Sequence, residues 1–104
     1  MQKLFKDTIT QYQLAMAFKK NSIESAFKQL HQEVLKQPES NQRNELLRAI
    51  EINQEVFVLE PPIADILSHT DNESIILRKM FEYLISISHA EQAVQSLKYS
   101  AQSL

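Results

Sequence analysis

A chain of 104 residues has room for one hydrophobic core. It holds no glycine and no cysteine, which removes the usual residue of tight hairpins and phosphate-cradling loops and rules out disulfides and thiolate-bound zinc or iron–sulfur sites. Eleven basic residues against thirteen acidic ones, with a pI near 5.9, lack the basic excess that drives phosphate binding, so direct contact with nucleic acid is not expected.

No apolar run approaches the roughly 18 to 20 residues that span a bilayer. The opening MQKLFKDTITQYQ has neither the apolar stretch nor the cleavage site of a signal peptide, so no membrane partner and a cytoplasmic location are expected. Alanine, leucine, glutamine, glutamate and lysine are plentiful and lose little side-chain freedom in a helix. The expectation is a single all-α domain over residues 1–104.

From Phe5, apolar residues return at Ile9, Tyr12, Met16, Ile23, Ala26 and Leu30 in steps of four and three, a heptad seam that Lys19 interrupts without breaking phase. One long helix from about Lys3 to Lys36 follows, near 50 Å at 1.5 Å per residue, with Asn21-Ser22 as the place where it could break. Pro38 ends it, because the residue before a proline is pushed out of the α region. A charge at a seam position snorkels, pairs or sets register, so Lys19 marks either a wet stretch or a partner contact; Glu33, on the same seam, could pair with a partner's basic residue.

Ser40 is placed to cap a second helix, whose apolar positions are Leu46, Leu47, Ile50, Val56 and Phe57. The alternation in EVFVLE could instead form a short strand, but a lone strand would have no sheet partner. Pro61 and Pro62 stop this helix and open a short third one, PIADILSH. Thr70 and Glu73 have capping-box spacing, which predicts a fourth helix.

That last helix carries the most regular seam: Ile76, Met80, Tyr83, Ile87, Ala90, Val94, Leu97, Ala101 and Leu104. Its first half adds Ile75, Leu77, Phe81, Leu84 and Ile85, a stripe too wide for one neighbour, and so reads as bundle core. After His89 only the seam is apolar, and that half is expected to touch one helix or stand free. The predicted architecture is a helical bundle in which two long antiparallel coiled-coil-like helices hold two shorter ones between them.

Chemistry-bearing residues are sparse. Asp65 and His69 are four apart on the short helix, the spacing of helical metal ligands, and with Asp71 and Glu73 they could be drawn as a metal or acid–base cluster. Each has a cheaper role as a cap or solvated charge at a helix junction. His89 with Glu91 is a thinner version, and His31 among Gln29, Gln32 and Glu33 reads as a surface imidazole. No catalytic, cofactor or metal residue is assigned, and no enzyme is expected.

The order of a long helix, LAMAFKKNSIESAFKQLHQEVLKQPES, and a later block, PPIADILSHTDNESIILRKMFEYLISI, resembles the small helical YlbF/YmcA family of Gram-positive bacteria. The resemblance implies a cytoplasmic, non-enzymatic regulatory protein that works in helical complexes directing RNA processing or developmental choices. The family's long middle hairpin is nearly absent here, and the cysteines by which some members hold iron–sulfur clusters are missing altogether. The stretch KKNSIESAFKQLHQEVLKQPESNQRNELLRAI also resembles the four-helix bacteriocin-immunity proteins, and small secretion chaperones share the length and composition.

The function expected is therefore a protein–protein interaction module, a regulatory scaffold or chaperone-like binder, with a bacteriocin-immunity or antitoxin-type protein as the alternative. Its partners would be another protein and itself, most simply as a dimer. The docking residues expected are Val94, Leu97, Ala101 and Leu104, with Tyr99 at the rim, because an apolar stripe that narrows while keeping its period suits a groove on another chain. The other use of that seam is packing along the first helix.

Overall fold

In a computed structural model, described over residues 3–57 and 72–104 with the Leu4 side chain excepted, the chain is all-α. The described residues form α1, Lys3–Leu35, α2, Asn41–Val56, and α3, Glu73–Gln102. The short helix expected at PIADILSH, with Pro61, Pro62, Asp65, His69, Thr70 and Asp71, lies outside the described residues, as does the end of EVFVLE. Glu55 and Val56 close α2 as helix.

α1 runs unbroken through Asn21 and Ser22, 33 residues in all, since the buried seam continues in step from Met16 to Ile23 across that pair. Ser40 caps α2 as its position requires: Oγ accepts from the Arg43 N–H at 3.1 Å. Arg43 in turn donates from Nη2 to the Leu35 carbonyl at 3.1 Å, satisfying one of the acceptors left open where α1 stops. The cap of α3 differs from the expected one. Asn72 holds the position, its Oδ1 accepting from Ser74 and Ile75 N–H at 3.0 and 3.3 Å, and Glu73 is the first helical residue.

Three contacts give the direction of α2 against α1. Arg43 reaches Leu35, Glu51 reaches His31 at 3.1 Å, and Phe57 stacks on Phe27 with ring centroids 6.4 Å apart. Positions rise on one helix as they fall on the other, so the pair is antiparallel.

Three more give α3 against α1: Ile76 packs with Ile9, the Tyr12 hydroxyl donates to the Met80 carbonyl at 2.6 Å, and Lys19 pairs with Glu91 at 3.6 Å. Here both positions rise together. The two long helices are parallel, which corrects the antiparallel arrangement expected from the sequence. Heptad periodicity is the same in either direction and fixes which face is buried, not which way the neighbour runs.

Because α1 and α3 are parallel, α2 folds back over the end of α1 and meets the second half of α3. The main core lies there: Ile23, Phe27, Leu30 and Val34 of α1, Leu46 and Ile50 of α2, and Ile87, Ala90, Val94 and Leu97 of α3. A smaller cluster at the other end joins Ile9 and Ile76, with Phe5, Tyr12 and Met80 around them. The body measures 56 × 17 × 17 Å, with a radius of gyration of 17.2 Å against about 13 Å for a compact chain of this length. It exposes 7440 Å², where a compact monomer of its 12.1 kDa exposes about 6,000 Å².

Candidate interaction surface

The three-helix end explains the thin seam of the last turns. Where α1, α2 and α3 converge, small side chains let the backbones approach. Ala90 is fully buried, and Ala93 and Ala101 pack against the core. Val94 and Leu97, offered by the sequence to a partner, are buried here against α1 and α2. The other two expected docking residues face solvent, Tyr99 at 74% exposure and Leu104 at 39%. The half of α3 expected to touch one helix or stand free thus meets both α1 and α2 and carries most of the buried residues of α3.

The opposite holds at the first half, whose wide apolar stripe predicts bundle core. Ile76 is buried, but Leu77, Phe81, Leu84 and Ile85 are 51, 63, 41 and 40% exposed. Among the described residues the wide stripe finds α1 on one side only. Smaller pairs one turn apart stand out elsewhere, Leu14 with Phe18 on α1 and Ile52 with Val56 on α2. Scattered apolar residues on a surface are normal; four large ones within two and a half turns form a contiguous patch of the kind that marks a contact site.

Polar groups near these faces are mostly structural. Lys19 sits half-exposed and pairs with the half-exposed Glu91, so the charged seam position is met inside the chain, across α1 and α3, with its ammonium in water. Glu33 is exposed, and its neighbour Val34 takes the core position. A 3.6-residue turn drifts against a strict seven-residue repeat, and by the end of α1 the buried stripe has moved on by one residue to face α2.

Tyr12 and Tyr83 lie between α1 and α3, and burial raises both phenols above their ordinary value of 10.0. Their proximity adds to the effect at Tyr12, and the Glu24 carboxylate adds to it at Tyr83. Among the described residues, two buried side-chain nitrogens, Gln13 Nε2 and Arg43 Nε, have no hydrogen-bond partner.

Of the cluster drawn around Asp65, only Glu73 is described, on the first turn of α3. No group of three or more histidine, aspartate or glutamate side chains among the described residues is placed to hold a metal. His31 is tied to Glu51, and His89 is exposed on α3. No described helix is long and apolar enough to cross a membrane.

Comparison with protein-family models, curated proteins and solved structures finds no match. The surface itself carries the functional argument. Its main feature, the Leu77, Phe81 and Leu84 stripe, was visible in the sequence as excess apolar width. Only the direction of α3 reveals that the excess faces outward.

Proposed function

We propose that this protein is a non-enzymatic protein–protein interaction module, a regulatory scaffold or chaperone-like binder that works in a bacterial helical complex and associates with another protein and with itself. The observation that supports the reading is the exposed stripe of Leu77, Phe81, Leu84 and Ile85 on α3. Holding four large apolar side chains in water costs roughly 25 cal/mol for each Å² left uncovered. A partner helix laid along them removes that cost. Tyr99 and Leu104, exposed beyond the core at the end of α3, form a second and smaller contact at the other end of the rod.

The test is native mass spectrometry of complexes isolated from cells, for the wild type and for a variant with Phe81→Ser and Leu77→Ser. The expected result is a defined assembly with the wild type that is lost in the variant, while circular dichroism shows the helices retained. A bare monomer in both samples overturns the reading. A cognate toxin as the bound protein selects the immunity or antitoxin-type function instead.

A further inference from the structure

On α3, Ser74, Leu77, Phe81, Leu84 and Ser88 are all exposed and recur in steps of three and four. Leu77, Phe81, Leu84 and Ser88 each follow by one residue a member of the inward seam, and Ser74 extends the row one step earlier, so this second seam is rotated from the first by about 100°. In heptad terms Ser74, Phe81 and Ser88 take the a positions and Leu77 and Leu84 the d positions, a leucine-and-aromatic centre closed at both ends by serine.

Two charges flank it on opposite sides. Glu73, preceding Ser74, is a g position and Arg78, following Leu77, an e position. Neither belongs to an ion pair among the described residues, whereas Lys79 is held by Glu82 at 3.4 Å on the same helix.

We propose that this second seam is the interface with a second copy of the chain, α3 lying parallel and in register with α3 of its partner. In a parallel two-stranded coil each g residue faces the e residue five positions on in the other strand, which sets Glu73 against Arg78 twice across the two-fold axis. An antiparallel pair centred on Phe81 matches Arg78 with Ile85 and leaves both charges unanswered. With α1 about 100° from the partner around α3, the long helices form a zigzag with the two α1 helices on opposite sides of the α3 pair.

This inference rests on the self-association in the proposed function, and the test separates the two. The chain has no cysteine, so one introduced residue is the sole thiol. Ser74→Cys, Ser88→Cys and, as a control facing away, Ser96→Cys are each oxidised mildly at micromolar concentration, with mass read by light scattering before oxidation.

A parallel in-register dimer doubles the mass and cross-links at Ser74→Cys and at Ser88→Cys, but not at the control. Arg78→Glu weakens it several-fold, and Glu73→Arg added to that variant restores it. A dimer that cross-links at neither serine, or only when the two variants are mixed, overturns this interface and leaves self-association standing. A monomer throughout overturns both.

Discussion

Replacing Val94 and Leu97 together with serine decides whether the end of α3 belongs to the core or to a partner. Both side chains are nearly excluded from solvent and pack among Phe27, Leu30, Val34, Leu46 and Ile50. Truncating a buried leucine costs about 2–5 kcal/mol through lost transfer energy and the cavity left behind. The valine adds roughly 1–2 kcal/mol, and each buried hydroxyl must find a partner in an apolar setting. The residues sit one turn apart and share one cavity, so the sum is not strictly additive; on the order of 4–6 kcal/mol is expected.

A domain of this size holds about 5–15 kcal/mol in all, so the double variant loses a large part of its stability. Urea denaturation followed by far-ultraviolet circular dichroism measures the loss. The thermal midpoint should fall by roughly 20 °C or more, at about 4–8 °C per kcal/mol. An unchanged midpoint, to within about 1 kcal/mol, combined with loss of self-association or of partner capture, would refute the core assignment and return the seam to an interface.

The two tyrosines between α1 and α3 make stability depend on alkaline pH. Both phenols are raised in the folded state, so their contribution is complete below the unfolded value of 10.0 and is lost as pH rises through the folded values. Urea midpoints should be flat on approaching pH 10 and fall above it, and Tyr12→Phe with Tyr83→Phe should flatten that fall; an unchanged alkaline limb would show that other groups cause it. Ser40→Ala removes the α2 cap and should cost about 1 kcal/mol, as should Asn72→Ala at α3, measured by denaturant midpoints. A double-mutant cycle on Lys19 and Glu91 should return less than about 1 kcal/mol and shrink with salt, because both groups are half in water. Adding a chelator should leave the helical signal and the melting curve unchanged, and unfolding on chelation would restore the acidic and histidine cluster around Asp65 as a metal site.

Much of this fold is legible in the residues because local physics decides it. α1 ends just ahead of Pro38, Ser40 caps α2, and the four-three spacing buries Ile9, Met16, Ile23, Ile76 and Ile87. The sequence predicts the cap of α3 two residues early, because Thr70 and Asn72 both carry suitable oxygens and the choice between them depends on where the helix begins. The direction of α3 was not legible. An apolar seam reads alike from either end, and the ordering of contacts from Ile9 with Ile76 to Lys19 with Glu91 exists only in three dimensions.

The parallel direction of α3 accounts for the reversal of core and surface along it. With antiparallel long helices, the wide stripe of Leu77, Phe81 and Leu84 would have met the bulky end of α1, and the thin seam from Ala90 to Ala101 would have run out beside Phe5 and Ile9. In the parallel arrangement the thin seam enters the groove between α1 and α2, where small residues are an advantage because three backbones must approach closely. The wide stripe is left with one neighbour among the described residues and keeps its outer residues in solvent. Apolar width therefore did not mark the interior. Where a helix is apolar around more of its circumference than its own fold covers, the surplus locates the face that remains for another chain.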